Sequence, residues 1–578
     1  MALHKILEQR LQQALAPVLP DADAGVVRVR PCPDPRFGDY QCNALMALAK
    51  ARNMNPRQLA AAVAARLDVA DCCEAVEIAG AGFLNFRLKV PAIARTLESL
   101  ARGESALVEQ TSRPRCILID FSSPNAAKPM HVGHIRSTIL GDSLARVSRL
   151  LGHRVITDNH LGDWGAQFGK LILGWKTSLN SEALGSDPIA EMERLYKLIN
   201  AAGEEDPKIL ESAGRELVKL QGGDEENMRI WRQMIALSQE QFDRVYGRLG
   251  VKFDYTFGES YYNPRLKDVV ADLQRRGLAR ESEGALAVFF DDIAELKGQP
   301  ALVRKSDGGF NYTTTDLATL QFRLEGGAWG GPPEEIIYVT DGRQQLHFKQ
   351  LFALFRRWHP EADVKLAHVW FGSILGEDGK PFKTRSGETV RLEELLDEAE
   401  ERAFQVVSQK NPEWEAGQRR QIARVVGLGA IKYADLSQNR QSDYVFSWDK
   451  MLSLQGNTAP YLLYAYTRIR SIFRKAGQSA ADAGGGGFVL AAPEETALAR
   501  RLLDFGLVLE AVAEEHRPNF LCGYLYDLAG DFARFYENCP VLKAGPDSRA
   551  TRLALCDLAS RVLQQGLDAL GIATTEQM

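Results

Sequence analysis

An apolar run that leads into a long helical stretch is the feature that most limits how this chain can fold. Residues 116–121 read CILIDF, a pattern typical of a strand buried on both faces. A polar loop follows, and then HVGHIRSTILGDSLARVSRLLG has helical periodicity. A second short apolar run, RVITDN, and a second helical stretch, DWGAQFGKLILGWK, come next. Strand, helix, strand and helix in this order predict a parallel, Rossmann-like sheet covered by helices.

Three regions are expected along the 578 residues, because a chain of this length is too long for one hydrophobic core. Residues 1–112 alternate helical stretches with strand candidates, VVRVR at 26–30 and FLNFRL at 83–88, which predicts an α+β domain. Residues 113–405 form the Rossmann-like domain, with further strand candidates at ALAVFF, EIIYV and VKLAHVWF and a charged helical insertion around 178–250. No strand is expected beyond about residue 405, so residues 406–578 are predicted to be an α-helical bundle. The expected fold class is multidomain α/β.

Composition excludes several classes of protein and leaves others open. The sequence is 45% hydrophobic and 25% charged, and no apolar stretch is long enough to span a bilayer. The first residues, MALHKILEQRLQQALAPVL, lack the continuous apolar core of a signal peptide. The eight cysteines form no C-x-x-C pair, which gives no support for a zinc ribbon and fits reduced thiols in the cytoplasm. The net charge of −5 neither suggests nor excludes a nucleic-acid partner.

Two histidines stand at the expected start of the first long helix. In SSPNAAKPMHVGH, residues 122–134, His131 and His134 are three positions apart and can face one ligand. A helix start at the carboxyl edge of a parallel sheet favours an anion, and Gly133 allows a close approach. The alternatives are a metal site, which needs further ligands that no H-E-x-x-H pattern supplies, and ordinary surface packing. The combination of strand, loop, lysine and histidine pair favours phosphate.

Several separated motifs resemble one enzyme family. FSSPNAAKPMHVGH followed by DNHLGDWGAQFGK resembles the first signature of the class I aminoacyl-tRNA synthetases, in the form found in arginyl-tRNA synthetases. FGDYQCN and GAGFLNFRL resemble that family's N-terminal domain, and NTAPYLLYAYTRIRS resembles the opening of its helical anticodon-binding domain. The resemblance implies that L-arginine is joined to the α-phosphate of ATP and then transferred to the terminal adenosine of tRNA(Arg). It also implies that ATP is a substrate, that Mg²⁺ is bound through the nucleotide, and that the protein is a monomer.

The resemblance implies a set of ATP-binding residues and one departure from the family pattern. The ATP-binding set is His131, Gly133, His134, Lys128, Lys380, Lys383 and Arg385, and its catalytic members are His131, His134, Lys128 and Lys383. No metal ligands from the protein are expected. The second signature is usually Lys-Met-Ser-Lys-Ser, but in GEDGKPFKTRSGETV the position of the second lysine falls on Thr384. Family members without that lysine carry one just ahead of the histidines, as Lys128 is here. The alternative for this segment is a surface loop with solvated charges.

A bound arginine needs carboxylate partners for its guanidinium group. Asp120 ends the buried strand, and Asp316 lies four residues after Tyr312 at an apparent helix start, where the alternative role is a helix cap. By resemblance, the arginine-binding residues are Asp120, Ser122, Asn125, His160, Tyr312, Asp316 and Gln344, and Asp163 shapes the pocket.

Aromatic and basic side chains in the C-terminal region point to RNA. The residues expected to bind tRNA are Tyr461, Tyr464, Arg468 and Arg474, about half of which should be core residues by their helical spacing, and, by resemblance, Asn85. Two rival functions stay open: a nucleotidyltransferase with the same histidine motif, and a catalytically inactive, synthetase-like tRNA-binding protein. The long helical C-terminal half argues against the first, and the intact set of histidines, lysine and carboxylates argues against the second.

Overall fold

The computed structural model describes residues 2–382, 390–477 and 488–578. Contacts among these residues divide the chain into two units. The first unit contains residues 2–111, residues 410–433 and the described part of 451–578, and the second contains the described part of 112–409 together with 434–450. The three-region division expected from the sequence, with boundaries near 112 and 405, stays a prediction.

The N-terminal residues form a small antiparallel sheet with helices, which confirms the expected α+β fold of this region. Its elements are α1 (Leu3–Leu15), β1 (Arg30–Pro31), β2 (Tyr40–Cys42), α2 (Ala44–Ala51), α3 (Pro56–Ala64), β3 (Glu77–Ala79), β4 (Phe83–Phe86) and α4 (Val90–Ala101). The strand order is β1-β2-β4-β3 with antiparallel pairing throughout. Asn55 caps α3 by accepting the backbone N–H groups of Arg57 and Gln58, and Pro56 follows at the first helical position.

The strand expected over residues 26–30 is wrong except at its last residue. A short 3-10 helix covers Ala24–Val26, and β1 begins only at Arg30. Val27 and Val29 are both fully buried, so the alternating pattern did report burial. The backbone N–H of Val29, however, donates to the Glu8 carboxylate of α1 at 3.0 Å. A side chain therefore takes the hydrogen bond that a neighbouring strand would otherwise accept.

The middle of the chain contains the parallel sheet that the sequence predicted. The strands of this middle region, of which only some belong to the parallel sheet, are β5 (Cys116–Asp120), β6 (Arg154–Asp158), β7 (Arg280–Ser282), β8 (Ala285–Val288), β9 (Ala301–Arg304), β10 (Glu335–Tyr338), β11 (Lys365–His368) and β12 (Ile374–Leu375). Its helices are α5 (Val132–Leu150), α6 (Ala166–Ser178), α7 (Ser181–Ser186), α8 (Pro188–Glu205), α9 (Pro207–Gln221), α10 (Glu225–Leu249), α11 (Glu259–Tyr262), α12 (Leu266–Arg275), α13 (Tyr312–Leu324) and α14 (Gln345–Trp358). Four strands pair in parallel in the order β11-β10-β5-β6, so β5 is central.

Apolar side chains of the sheet and of two later helices share one core. Leu118, Ile156 and Ile336 on the strands cluster with Leu317 on α13 and Leu351 on α14. Burial of each such side chain contributes about 1.5–3 kcal/mol. Apolar residues occupy most inner positions of these strands, and polar residues stand mainly at the strand ends, as expected of a sheet whose faces are covered by helices.

The stretch in which the sequence predicted a helical insertion forms four helices, α7 to α10. Each of these helices is preceded by an Asn or Asp whose side-chain oxygen accepts N–H groups of the first turn, namely Asn180, Asp187, Asp206 and Asp224. These caps satisfy donors that a helix start leaves open and explain why one charged stretch divides into four separate helices.

The strand candidate ALAVFF is a strand, but it lies outside the parallel sheet. β8 pairs antiparallel with β7 and β9 in a separate three-stranded sheet. Between β7 and β8 the chain turns at Glu283 and Gly284, with φ values of 52° and 78°. Two adjacent residues with positive φ form the tight turn that joins antiparallel strands. This turn makes β8 the antiparallel partner of β7 rather than a strand of the parallel sheet.

The C-terminal region is helical, as expected, with one small exception. Its elements are α15 (Leu392–Lys410), α16 (Ala416–Leu436), β13 (Tyr444–Val445), α17 (Trp448–Met451), α18 (Ala459–Ala476), α19 (Pro493–Leu503), α20 (Phe505–Glu515), α21 (Asn519–Asn538) and α22 (Pro546–Ala569). The expectation of no strand beyond residue 405 is wrong for β13, which pairs in parallel with β12. Two residues give too short a pattern to recognise from sequence. Within the described ranges, no helix has both the length and the apolar character of a membrane span.

Replacement of Gly141 by alanine is expected to destabilise the protein, although alanine is the better helix former. A Cβ atom at this position of α5 would overlap the Phe121 side chain close to its root, where the ring cannot rotate away. We expect a loss of about 1–3 kcal/mol, as is usual for overpacking. Gly214→Ala on α9 is the matched control, because nothing lies within 4 Å of its added Cβ. Thermal unfolding should show a lower midpoint only for Gly141→Ala; equal midpoints would contradict the packing described.

Candidate active site

The segment between β5 and α5 has an unusual backbone conformation. Ser122, Ser123 and Ala127 have φ values of 72°, 48° and 61°. Residues other than glycine seldom enter this left-handed region, and each one costs about 1–3 kcal/mol unless its surroundings impose it. The Ser122 hydroxyl lies 2.8 Å from both the Thr138 hydroxyl and the Tyr246 hydroxyl. The Ser122 N–H also donates to the Ser137 hydroxyl at 2.8 Å, so a contact between Ser122 and arginine is left to its carbonyl oxygen.

The two histidines cap the helix that they begin. Nδ1 of His131 accepts the N–H of Gly133 at 3.1 Å, and Nδ1 of His134 accepts the N–H of His131 at 3.1 Å. Their ring centroids are 4.0 Å apart. A neutral imidazole whose Nδ1 accepts a hydrogen bond carries its proton on Nε2. Each ring therefore caps the backbone with one nitrogen and keeps a donor, Nε2–H, on the other.

Both histidines are held in the neutral form. Burial, together with the charge of neighbouring His131, lowers the pKa of His134 to about 3. Burial, with the positive charge of Arg343, also lowers the pKa of His131. The pair thus offers hydrogen-bond donors and a helix N-terminus to an anion, but no net charge of its own. Arg343 was missed by the sequence analysis; it is exposed and paired with Asp341 at 2.8 Å.

The chain that follows the second signature segment pairs with the residues around the histidines. The N–H of Val132 donates to the Val390 carbonyl at 3.0 Å, and the N–H of Leu392 donates to the Met130 carbonyl at 2.9 Å. These two bonds form an antiparallel bridge centred on His131. The end of that segment is therefore fixed beside the start of α5.

The predicted cations differ in how the structure places them. Nζ of Lys128 lies 5.2 Å from the centroid of the Tyr196 ring, a cation–π contact that was not anticipated. Lys380 is exposed at the end of a turn in which the N–H of Gly376 donates to its carbonyl at 2.8 Å. Three residues discussed for the second signature lie outside the described residues: Lys383, Thr384 and Arg385. Their roles stay predictions.

Asp120 contacts a buried arginine of the chain itself. Nη2 of Arg323 on α13 donates to Asp120 at 2.6 Å and to Asp158 at 2.8 Å. Asp120 is 4% exposed, and both Asp158 and Arg323 are 0% exposed. The second oxygen of Asp120 accepts the Ser123 hydroxyl at 3.2 Å. The sequence singled out Asp120 but gave no sign of its partner, because Arg323 is about 200 residues away in the chain and reads as an ordinary helix residue.

Asp316 does not cap its helix. Helix α13 begins at Tyr312, with Asn311 in the N-cap position, so Asp316 lies one turn inside and the helix-cap alternative is wrong. Oδ2 of Asp316 is 2.6 Å from Nε2 of His347 on α14. The Tyr312 ring packs edge-on against the same histidine, with centroids 4.7 Å apart, and its side chain is 62% exposed. Tyr312 and Asp316 therefore meet at one histidine.

The segment DNHLGDWG lies against the loop that precedes the histidines. The N–H of Gly162 donates to the Pro124 carbonyl at 3.1 Å, and the N–H of Ala126 donates to the Gly162 carbonyl at 3.1 Å. A Cβ atom at Gly162 would overlap the Asn125 amide, so glycine is required for this approach. Asn125 is exposed. His160 packs against Tyr262 with ring centroids 5.5 Å apart.

Asp163 organises the start of α11. Its two carboxylate oxygens accept the N–H of Ser260 at 2.8 Å and the Ser260 hydroxyl at 2.6 Å. A Cβ atom at Gly258 would overlap this carboxylate, so a second glycine permits the contact. Burial raises the pKa of Asp163. The pocket-shaping role of Asp163 stays a prediction, and its contact with Ser260 supports that role. Gln344 is exposed at the end of a short 3-10 helix before α14.

Glu259 is a carboxylate of this region that the sequence analysis missed. Its pKa is raised to about 7, chiefly by burial and also by the charges of Asp316 and Asp163, while His160 opposes the rise. Glu259 therefore lies within electrostatic reach of three residues that the sequence singled out separately. Parallel bridges between residues 158–161 and 255–258 bring it there. No local pattern in the sequence indicates such a pairing.

No metal-binding cluster is found in the described part of this region or elsewhere in the described chain. Groups of three or more His, Cys, Asp or Glu side chains with suitable placement are absent from residues 2–382, 390–477 and 488–578. The histidine pair itself uses one nitrogen of each ring for capping. The geometry at the start of α5 therefore suits an anion better than a cation.

Residues on α18 and α21 form an exposed aromatic and basic surface. Tyr461 lies 5.6 Å from Tyr526 by ring centroids, and the guanidinium of Arg468 lies 4.5 Å from the Tyr536 ring. Tyr464 is 46% exposed. The expectation that about half of the four predicted residues would be core is wrong, because the helix turns its leucines and isoleucines inward instead. Tyr526 and Tyr536, both on α21, were not predicted from the sequence.

The other two residues expected to bind tRNA lie elsewhere. Arg474 is exposed, and its Nη1 donates to the Glu576 carbonyl at 2.9 Å. Asn85 is 4% exposed and lies on β4, between Gln41 of β2 and Glu77 of β3. Its contact with RNA stays a prediction.

Comparison with known proteins identifies the family. Residues 96–448 match the family described as tRNA synthetases class I (R), catalytic domain; residues 462–578 match the DALR anticodon binding domain; and residues 3–88 match the arginyl tRNA synthetase N terminal domain. The arginine–tRNA ligase of Chromobacterium violaceum is 45% identical over 100% of both chains. The chain belongs to the class I arginyl-tRNA synthetases.

Solved structures of this family have the same fold as the chain. The arginyl-tRNA synthetase of Thermus thermophilus is 29% identical, with a TM-score of 0.82 over 100% of both chains. That of Plasmodium falciparum is 30% identical, with a TM-score of 0.80 over 100% of this chain and 99% of the other. The multidomain α/β fold class expected from the sequence is confirmed, and membership in the synthetase family excludes the nucleotidyltransferase alternative.

His134→Asn is expected to make this synthetase less sensitive to acid. The pKa of His134 is about 3 in the folded protein, below its ordinary value of 6.5. Between these values the unfolded chain binds a proton that the folded protein does not. The free energy of unfolding therefore decreases as the pH is lowered, by up to about 1.4 kcal/mol per pH unit. Asparagine can still accept the N–H of His131 but does not titrate. Chemical unfolding of both proteins at about pH 7.5 and about pH 5.0 measures this difference; parallel losses would contradict it.

Proposed function

We propose that this protein is an arginine–tRNA ligase, which activates L-arginine with ATP and transfers it to the 3′-terminal adenosine of tRNA(Arg). The observation that carries the proposal is the pair of neutral histidines at the start of α5, set at the carboxyl edge of the parallel sheet and next to the buried carboxylate of Asp120. One part of this arrangement suits a phosphate and the other suits a guanidinium, as a reaction between ATP and arginine requires.

In the activation step, a carboxylate oxygen of arginine forms a bond to the α-phosphorus of ATP. The bond from that phosphorus to the bridging oxygen breaks, and pyrophosphate leaves. Negative charge on the phosphate oxygens is stabilised by the Nε2–H groups of His131 and His134 and by the N-terminus of α5 at Gly133. Because both histidines are neutral, the compensating positive charge comes from other side chains. We assign it to Lys128, Lys380, Lys383 and Arg385.

Lys128 has a particular place in this assignment, because Thr384 stands where the family usually has a lysine. It lies on the loop three residues before His131, and the ring of Tyr196 holds its ammonium group. Mg²⁺ is proposed to enter bound to the nucleotide phosphates, which often supply most of the ligands of this ion besides water. When bound, it would neutralise charge on the leaving pyrophosphate.

The arginine substrate is proposed to bind between β5, α13 and the DNHLGDWG segment. Asp120 and Asp316 balance its guanidinium, and the ring of Tyr312 covers it. The side chains of Asn125, His160 and Gln344 and the backbone of Ser122 complete the proposed set. Glu259, which the structure adds, lies within electrostatic reach of His160 and Asp316 and would increase the attraction for a cation.

The tRNA is proposed to bind the surface of α18 and α21. Tyr461, Tyr464 and Tyr526 can stack on unpaired bases, and Arg468 can contact a phosphate. The match of this region to an anticodon-binding domain supports the assignment. Arg474 and Asn85 are kept as further proposed contacts. The cytoplasmic location and the monomeric state also stay predictions.

ATP–pyrophosphate exchange measured with each amino acid, with and without tRNA, tests the function. We expect arginine to be the only amino acid that supports exchange. We also expect arginyl-tRNA to form when tRNA(Arg) is present. His134→Asn should lower turnover by about a hundredfold or more, because it removes one donor to the transition state. The same variant keeps an acceptor for the His131 N–H, so its unfolding midpoint at neutral pH should stay close to that of the parent.

His134→Ala is the matched comparison, since it removes both the donor and the cap. It should lose turnover to a similar extent and, in addition, stability of about 0.5–2 kcal/mol. Exchange with a different amino acid would show that the proposed substrate is wrong. A folded parent protein that binds tRNA but exchanges with no amino acid would favour the inactive, tRNA-binding alternative.

Asp316→Asn is expected to weaken arginine binding selectively. The change keeps the shape of the side chain but removes the negative charge that would face the guanidinium. The KM for arginine should rise by about tenfold or more, while the KM for ATP should change by less than about twofold. Asp363→Asn, at an exposed position before β11, is the control for loss of one surface charge. Equal rises in both KM values would place Asp316 outside the arginine pocket.

A further inference from the structure

We propose that Arg323 is a positioning residue for the activation of arginine: it balances the charge of Asp158 so that Asp120 stays ionised and oriented towards the guanidinium of the substrate. The inference rests on the proposed function, in which Asp120 binds that guanidinium. Arg323 itself would not touch the substrate. Its effect would reach the substrate through Asp120.

The parallel register forces two carboxylates together at the edge of the sheet. β5 and β6 pair so that Asp120 stands directly opposite Asp158, each as the last residue of its strand. Both side chains are buried, at 4% and 0% exposure. Two ionised carboxylates in such a place repel each other, and burial penalises both charges. Without a cation, one of the two would take up a proton.

Arg323 supplies that cation from a different element. It lies near the end of α13, it is fully buried, and its Nη2 donates to Asp120 at 2.6 Å and to Asp158 at 2.8 Å. Burial and the charge of Asp120 raise the pKa of Asp158, and Arg323 opposes that rise. One positive charge against two negative charges leaves the group one unit negative. A bound guanidinium would complete the neutralisation.

The other groups that face the two carboxylates are two tyrosines, a histidine and a serine. Tyr338 on β10 and Tyr262 on α11 are both buried, and burial raises the pKa of each hydroxyl above its ordinary value, so both are neutral at neutral pH. His160, in the loop after β6, lies within electrostatic reach of Asp158, and Ser123 donates a neutral hydrogen bond to Asp120. Among the described residues, Arg323 is the cation that donates hydrogen bonds to both carboxylates.

A single nitrogen of Arg323 makes both ion pairs. Nε and Nη1 of the guanidinium have no hydrogen-bond partner among the described residues, and neither has the second oxygen of Asp158. Arg323 therefore pairs with the two carboxylates through one nitrogen and forms no bidentate ion pair with either of them. A lysine ammonium can supply the same charge through its single nitrogen. This makes Arg323→Lys the conservative variant that separates the effect of charge from the effect of shape.

Four variants test the proposal by steady-state exchange kinetics: Arg323→Met, Arg323→Lys, Asp158→Asn and the double variant Arg323→Met with Asp158→Asn. Arg323→Met should raise the KM for arginine by about tenfold or more and leave the KM for ATP within about twofold of the parent. Arg323→Lys keeps the positive charge but loses the contact of the guanidinium with the Tyr338 ring, so its KM for arginine should rise less than that of Arg323→Met. Asp158→Asn should also raise the KM for arginine, because Arg323 then neutralises Asp120 completely.

The double variant and the pH dependence give readouts that a purely structural role would not move. With a single carboxylate and no internal cation, the double variant should recover an arginine KM within about threefold of the parent, a favourable coupling between the two changes. In Arg323→Met, a proton shared between the two carboxylates ties Asp120 to Asp158 and so turns it away from the substrate, whereas the Asp158→Asn change in the double variant leaves Asp120 ionised and available. Because the shared proton leaves as the pH rises, the KM of Arg323→Met for arginine should fall with increasing pH, while that of the double variant stays nearly constant.

Arg265→Met is the matched control, because Arg265 is a half-exposed arginine that packs on Phe322, next to Arg323, and pairs with Glu325 at the surface. It should leave both KM values unchanged. Equal effects of Arg265→Met and Arg323→Met would overturn the proposal, and so would additive losses in the double variant or equal rises in both KM values. If Arg323→Met does not fold, Asp158→Asn still decides, since an unchanged arginine KM in that variant contradicts charge balance.

The failure of this inference differs from the failure of the proposed function. If the unmodified protein does not exchange pyrophosphate with arginine, the proposed function is wrong, whatever the variants do. If the unmodified protein is active and Arg323→Met behaves like Arg265→Met, only the role of Arg323 is wrong. Thermal unfolding of every variant separates loss of fold from loss of arginine affinity.

Discussion

The parallel pairing of β5 with both of its neighbours is the constraint on which the rest of the catalytic region depends. Because parallel strands end at the same edge, Asp120, Asp158 and Tyr338 stand side by side there. The chain then leaves β5 through three left-handed residues and starts α5 beside that edge. The positions of the anion-binding helix start and of the carboxylates are thus two consequences of one strand register.

Helix capping and phosphate binding are compatible roles for the two histidines, and the capping role was not anticipated from the sequence. One nitrogen of each ring bonds to the backbone, and this bond fixes which nitrogen keeps the proton. Burial then keeps the rings neutral, so they act as donors while positive charge comes from lysine and arginine side chains. This division of labour explains why a lysine close to the histidines matters in a chain that has Thr384 in its second signature.

The carboxylates around the proposed arginine pocket need internal partners before a substrate arrives. Asp158 has Arg323, Asp163 has Ser260, and Asp316 has His347. Glu259 differs from these carboxylates in its pKa, which is raised to about 7, chiefly by burial. Its charge therefore varies near neutral pH. A pocket with this much acid attracts a cation, but its exact charge depends on which carboxylates are protonated.

The sequence by itself determined the features that depend on local pattern: the buried strand CILIDF, the helix that begins at the histidines, the helical character of residues 178–250 and the family motifs. It failed where distant segments decide. Residues 26–30 have the alternation of a strand, but Glu8 of α1 takes the hydrogen bond of Val29. ALAVFF is a strand, but the turn at Gly284 places it in a separate sheet. Arg323 and Glu259 have no motif, because ion pairs between segments far apart in the chain leave no periodicity in either one. Only tertiary structure brings such charges together, and only their mutual burial makes them strong.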